Sequence, residues 1–133
     1  MSQENVEIVR QSIEAFQHGR FDRAVELWDT EGEWIPAMAG AIEDEVYRGH
    51  AALRRYFDEL SQSFSEVRLH GVEFRDVGNR VLVLYGLSVR GRDSGVAVDQ
   101  RGGTVYELRA GKIVHGRSYL SEVAARKAAG LEE

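Results

Sequence analysis

Two groups of residues in this sequence could do chemistry, and they differ in kind. The first group is ionisable. Asp99 and His115 each sit in a strand-like stretch, and either would be a candidate base for proton transfer if its strand turned it inward. The other histidines, His18, His50 and His70, add no constellation. No two of the four have the i,i+4 spacing of a helical zinc site, and there is no cysteine to complete one, so no metal is expected. The second group is neutral and aromatic. Trp28, Trp34, Tyr56, Phe57, Leu60, Val83, Tyr85, Gln100, Thr104, Tyr106 and Ser118 combine rings, a few hydroxyls and one amide, the composition of a small-molecule site. The same residues could instead fill a core, Trp28, Leu60 and Val83 above all. A buried tyrosine hydroxyl needs a partner, which a cavity holding water or ligand would supply. There is no Walker loop, dinucleotide fingerprint or Ser-His-Asp spacing, so no cofactor is expected.

The elements that must position these residues follow from hydrophobic period. Val6, Val9, Ile13 and Phe16 share one helical face, and His18-Gly19 supplies a stop. Ala24, Val25, Leu27 and Trp28 give a second short helix, Phe21 to Asp29, a broad apolar side. Glu33-Trp34-Ile35 reads as a short strand ended by Pro36, the only proline. The alanines, glycine and acids that follow, ending in Glu43-Asp44-Glu45, read as a loop at the mouth of any pocket. Gly49-His50 opens a third helix carrying Leu53, Phe57, Leu60 and Phe64 at helical spacing.

The period then becomes two. Val67 and Leu69 share one parity and Val72 and Phe74 the other, so a bulge is predicted at His70-Gly71. Gly78-Asn79 is a tight turn. Arg80 to Arg90 is a strand with apolar residues on both faces in its first half, hence central and covered on both sides. Val96 to Arg109 is the next strand, with a bend expected at Gly102-Gly103. Ile113 to Leu120 is the last, and Ser121 caps a short terminal helix that stops at Gly130. Short connections imply antiparallel neighbours. The fold class is α+β: a curved, bulged sheet whose concave side is closed by three helices, leaving a cavity between them.

The 133 residues suit one domain, residues 1–133, and 43% apolar with 29% charged is ordinary for a globular chain. A net charge of −5, with arginines mixed among acids, argues against a nucleic-acid partner. The lack of cysteine removes disulfides and thiolate chemistry and fits a reducing cytoplasm. No apolar run approaches the ~18 residues of a membrane span. Met1-Ser2-Gln3-Glu4-Asn5 does not resemble a signal peptide. A cytoplasmic protein without membrane contact is expected.

Several phrases, in this order and spacing, resemble the SnoaL-like family of the nuclear-transport-factor-2-like superfamily. They are Phe21-Asp22-Arg23-Ala24, Glu33-Trp34-Ile35-Pro36, Tyr47-Arg48-Gly49-His50, Gly78-Asn79-Arg80-Val81-Leu82-Val83 and Arg109-Ala110-Gly111-Lys112-Ile113-Val114. The resemblance spans nearly the whole chain. It implies a cone-shaped roll, a curved antiparallel mixed sheet wrapped by three N-terminal-half helices, with a short C-terminal helix. It leaves the reaction open, because this fold hosts isomerases, cyclases, dehydratases, epoxide hydrolases and non-catalytic modules. Ketosteroid isomerase, a relative, uses a carboxylate base with tyrosine and protonated-acid donors. Aligned with it, the tyrosine position holds Ser12, the base position Pro36 and the acidic donor position Thr104. The aspartate that cyclases of the family carry after the last-strand tyrosine, here Tyr119, is replaced by Ser121.

The same alignment points Val83, Tyr85, Leu87 and Val89 inward from one strand, and Gln100, Thr104, Tyr106 and Leu108 from the next. On the last strand Gly116 and Ser118 face inward. If parity slips at a bulge, Arg117 and Tyr119 do so instead and imply an anionic ligand. Asp99 faces outward unless the glycine pair flips its strand. Leu82, Leu84, Val105 and Val114 are left on the outer face, through which members of this fold commonly dimerise, so a homodimer is expected. The function expected is binding of a hydrophobic small molecule in an apolar, aromatic-lined cavity, without the catalytic residues of the relatives. The alternative is an enzyme acting by proton transfer on a hydrophobic ring or polyketide-like substrate: an isomerase, cyclase or dehydratase. A carboxylate or histidine buried in the cavity would favour the alternative.

Overall fold

Amphipathic helices and a sheet that is apolar on both faces can be satisfied together only by layering, and that is the arrangement found. The computed structural model describes residues 2–37 and 45–131. The elements, in order, are α1 (Ser2–Gln17), α2 (Phe21–Glu26), β1 (Trp28–Ile35), β2 (Tyr47–Arg48), α3 (His50–Ser63), β3 (Phe64–Val77), β4 (Arg80–Gly91), β5 (Ala97–Arg109), β6 (Lys112–Tyr119) and α4 (Glu122–Ala128). The six strands form one open sheet in the order β2-β1-β6-β5-β4-β3. Every pairing is antiparallel except β1 with β6, which is parallel and makes the sheet mixed.

Three local expectations change. The second helix ends at Glu26 and β1 begins at Trp28, well before Glu33. Helical period assigned Trp28 to the helix, but β6 captures it: Trp28 pairs with Ile113, and Ile113 N–H donates to Leu27 C=O at 3.1 Å. The two-residue β2, too short for any periodic signal, pairs with Glu33 and Trp34. At Gly102-Gly103 the β4–β5 register runs unbroken from Arg80–Glu107 to Arg90–Ala97, so the strand does not flip there. The glycines serve close approach instead. A Cβ on Gly102 would lie 2.7 Å from Tyr119 C=O, and one on Gly103 2.7 Å from Ala125 Cβ. The bulge at His70-Gly71 is present as a register shift between His70 and Glu73, with Gly71 at φ +57°.

The sheet separates two apolar compartments. On the inner side Val9, Val25, Trp28, Phe57, Val81 and Val83 belong to one cluster packed under α1, α2 and α3. On the outer side Leu82, Leu84 and Val105 lie beneath Ala125 and Ala129, at the end of α4. These outer residues are therefore not a spare surface, as the sequence suggested. Both leucines are 0% exposed because the chain covers them with its own C-terminal helix. That helix is held by three devices. Ser121 Oγ accepts from Ala124 N–H at 3.2 Å, Arg101 Nε donates to Glu122 Oε2 at 2.6 Å, and Arg80 Nη1 donates to Ala128 C=O at 3.0 Å. The free edge of β3 is partly blunted from α1. The Gln17 amide accepts from Leu69 N–H at 3.0 Å and donates to Val67 C=O at 3.3 Å, taking the place of a neighbouring strand.

Two substitutions test this outer layer by chemical denaturation. Leu84→Ala is expected to cost about 2–5 kcal/mol through the cavity it leaves. Gly103→Ala is expected to cost about 1–3 kcal/mol by overpacking against Ala125, with amide protection lost first in α4.

Candidate functional site

Sheet curvature leaves a gap between the inner face and the helices. About 120 Å³ of it is open to the centre of a water-sized sphere. Each wall follows from a period. α3 presents Leu53, Tyr56, Phe57 and Leu60 from one helical face, and α1 presents Ser12, Ile13 and Phe16. β4 supplies Tyr85 and Leu87, β5 supplies Gln100, Thr104 and Tyr106, and β6 supplies Ser118, all of inward parity. Trp28 and Trp34 come from β1. Exposure rises from Thr104 at 2% and Trp28 at 4% to Leu120 at 45%, so the cavity opens where Gln100, Arg101 and Leu120 form its rim. The rings touch one another throughout. Trp28 meets Trp34 and Tyr106 edge-on at 6.1 Å, Trp34 and Tyr106 stack at 6.3 Å, and Tyr56 meets Trp34 at 5.9 Å.

The polar groups in this wall are neutral. Tyr85 Oη and Thr104 Oγ1 share a 2.7 Å hydrogen bond. Ser12 Oγ donates to Ala24 C=O at 3.3 Å, Ser118 Oγ accepts from Ala37 N–H at 2.7 Å, and Gln100 Nε2 donates to Leu120 C=O at 2.9 Å. The Trp34 indole N–H is buried without a hydrogen bond of good geometry. It lies beside the Tyr56 phenol, close enough to favour that group's ionised form but not to bond the neutral one well. Burial dominates all the same, and it pushes the Tyr56, Tyr85 and Tyr106 hydroxyls well above the usual phenol range. Tyr85 adds to the rise at Tyr56, and Tyr85 and Tyr56 add to that at Tyr106, as neighbouring like charges would. They are therefore hydroxyl donors, not phenolates, at any physiological pH. Next to the cavity, Tyr47 donates to Glu59 at 3.2 Å, and burial followed by the Glu59 charge pushes its hydroxyl up to about 12.

The structure brings most of the candidate neutral residues to one wall. Trp28, Trp34, Tyr56, Phe57, Leu60, Tyr85, Gln100, Thr104, Tyr106 and Ser118 border the cavity. Val83 does not; it is 0% exposed and packed solid in the inner core. The candidate bases stand elsewhere. Asp99 points from the outer face, since the register through the glycine pair never shifts. There Ser88 Oγ donates to Asp99 Oδ1 at 3.0 Å, and His70 Nε2 lies 3.1 Å from Ser88 Oγ and 3.3 Å from Asp99 Oδ1. The bond from Ser88, then that from His70, holds the Asp99 carboxyl below its usual range. These are the residue types of a hydrolytic triad, but acid and hydroxyl meet the same ring nitrogen, so the imidazole cannot relay a proton between them. His115 sits opposite Glu107 and beside Glu33, also off the cavity wall. His50 Nε2 contacts Trp28 C=O at 2.8 Å and braces β1. Arg117 and Tyr119 pair with Val105 and Gly103, and Tyr119 packs against the outer cluster while also bordering the cavity; Gly116 and Ser118 keep the inward parity. Glu43 and Asp44 lie outside the described residues.

Among the described residues, no carboxylate or imidazole lines the cavity and no three His, Asp or Glu side chains come close enough to share an ion. Sequence reasoning missed Arg101 and Leu120 as rim residues, and met Ser12 only as the position aligned with a relative's tyrosine. Helical period would have found Ser12 beside Ile13, but the rim depends on how β6 meets β5. No helix among the described residues is long and apolar enough to cross a membrane.

Comparison with known proteins agrees with this geometry. The profile of the SnoaL-like domain matches residues 9–116. An NTF2-like protein from Burkholderia xenovorans LB400 superposes with a TM-score of 0.81 at 25% identity, covering 97% of this chain and 98% of its own. A putative polyketide cyclase from Xanthomonas campestris pv. campestris gives 0.78 at 18% identity, covering 90% and 92%. TerC, co-crystallised with polyporic acid, gives 0.78 at 18% identity, covering 96% and 98%. A search of curated proteins finds no match.

Two outcomes follow from the buried phenols. Tyr85→Phe is expected to cost about 1–3 kcal/mol by leaving the Thr104 hydroxyl without its partner, and Tyr85→Phe/Thr104→Val to cost less than the two single changes summed. The second concerns pH. The folded state keeps these phenols protonated where the unfolded chain ionises them. Their contribution is complete below about pH 10 and falls as pH rises above it, that of Tyr47 being lost as pH passes about 12. Urea midpoints should therefore fall across that window, and phenolate absorbance from the cavity tyrosines should appear only with unfolding.

Proposed function

Because the chain belongs to the SnoaL-like family, whose fold hosts many activities on one cavity, we propose that this cavity holds a neutral, flat, ring-bearing hydrophobic small molecule. The observation that carries the reading is the lining itself. Four aromatic rings, Trp28, Trp34, Tyr56 and Tyr106, face a space that also offers hydroxyl donors, with no charged base among the described lining residues. Apolar surface and rings favour a planar apolar ligand, and unionised phenols favour an oxygen acceptor on it. A carboxylate ligand would meet no cation deep in the cavity. Among the described residues the one cation on the wall, Arg101, stands at the rim and already pairs with Glu122. TerC, which shares this fold, was co-crystallised with a small molecule, polyporic acid.

On this reading the protein binds without turnover. Proton abstraction requires a group of tuned pKa within hydrogen-bond reach, and the two candidates the sequence offered, Asp99 and His115, stand off the cavity wall. We place the protein in the cytoplasm as a homodimer joined through the part of the outer face around the half-buried Val114 and His115.

The test is a titration with 1-naphthol, read by quenching of Trp28 and Trp34 fluorescence, alongside native mass spectrometry of freshly purified protein. Saturable quenching at micromolar probe, competed by any molecule retained through purification, is expected. Unsaturable quenching with no retained molecule would remove the binding reading. In a parallel arm, 2-tetralone in heavy water should exchange its α-hydrogens no faster with protein than without it. Acceleration would establish proton-transfer catalysis instead. Light scattering should give the mass of two chains, and the mass of one would refute the dimer.

A further inference from the structure

One buried position behind the rings of the cavity wall shapes the space by having no side chain. Gly116 stands in the middle of β6. It pairs with Trp34 of β1 on one side and with Tyr106 of β5 on the other. Neighbouring strands lie about 4.8 Å apart, so upright side chains two strands apart stand about 10 Å from each other. The Trp34 and Tyr106 rings are 6.3 Å apart and within 12° of parallel. Both therefore lean over the glycine. Trp28 closes the triangle edge-on, at 6.1 Å from each. A Cβ at Gly116 would fall 2.9 Å from Trp28 Cη2, 3.0 Å from Trp34 Cε3 and 3.2 Å from Tyr106 Cδ1. Backbone conformation is not the reason for glycine here, because Gly116 is not among the positive-φ residues. The requirement is space under the rings.

We propose that Gly116 is the specificity-determining residue of this cavity: its missing side chain lets the Trp28, Trp34 and Tyr106 rings lie back against β6 and so sets the depth available to a ring ligand. The proposal rests on the cavity being a binding site for such a ligand. A methyl group at this position has no free volume beneath three touching rings in a close-packed interior. Strand pairing holds both flanking backbones, so the rings yield in the one open direction, into the cavity. The effect must then depend on ligand size. A single ring seated near the rim keeps its contacts, whereas a fused bicycle reaching the back wall meets the displaced rings. In an apolar pocket, a mismatch of one methylene changes binding by about 10- to 200-fold.

The experiment compares wild type with Gly116→Ala on the full chain, using phenol and 1-naphthol as probes and xenon occupancy of pressurised crystals as a ligand-independent measure of the chamber. Gly116→Ala is expected to weaken 1-naphthol by about tenfold or more and phenol by less than about twofold, with xenon occupancy reduced. Equal losses for both probes, or unchanged xenon occupancy, would overturn the proposal. If wild type binds neither probe while the variant still loses xenon, control of depth by Gly116 stands and the ring-ligand reading fails. Should Gly116→Ala not fold, Gly116→Ala/Trp34→Leu gives the methyl room. It should show the wild-type order of probes, and a folded double variant that still excludes 1-naphthol would count against the mechanism.

Discussion

The register of β4 against β5 is the constraint on which the rest of the structure depends. It runs without a break over the length of both strands. Tyr85 and Leu87 therefore face the cavity with Gln100, Thr104 and Tyr106, while Leu82 and Leu84 face α4 with Gly103 and Val105. A slip by one residue would exchange the two sets. It would put Asp99 and Glu107 into an apolar chamber and the tyrosines under a helix with no room for rings. Both faces bury apolar side chains, so both oppose the slip. The bulge at Gly71 and the close approaches at Gly102 and Gly103 then adjust curvature and packing around a register already determined.

What the inner compartment contains follows from dielectric physics. A lone carboxylate there would be costly unless paired, and the described wall has no cation deep enough to pair with one. Phenol and hydroxyl groups meet the same need for polarity at lower cost, because they remain neutral and can satisfy each other, as Tyr85 and Thr104 do. The Trp34 indole N–H is less well satisfied. The chamber is thus apolar in bulk and polar at a few fixed points, an arrangement that orients a guest without charge.

The outer face shows why residue types alone do not make a site. His70, Ser88 and Asp99 meet within hydrogen-bond distance, yet the His70 side chain is 40% exposed and that of Asp99 75%. The imidazole lies across Gly86, where a Cβ would come within 2.3 Å of it. Its place is explained by the notch and the neighbouring bulge. Both hydrogen bonds converge on one nitrogen, and water has free access to the group.

The sequence by itself determined the element types, the family and most of the wall. Helical period placed Tyr56, Phe57 and Leu60 on one face, and strand parity placed Tyr85, Thr104 and Tyr106 on another. Both are local properties of the backbone, readable wherever the pattern is long. Tertiary structure decided what local pattern could not carry. Trp28 left its helix because β6 offered strand pairing. Leu82, Leu84 and Val105 became interior because a distant helix covered them. Asp99 stayed outside because pairing across two strands, not the glycine pair in its own, set its direction. Gly116 acquired its importance from three rings brought over it by neighbouring strands. In each case the deciding contact joins residues far apart in the chain, and long-range pairing leaves no periodic trace in either segment alone.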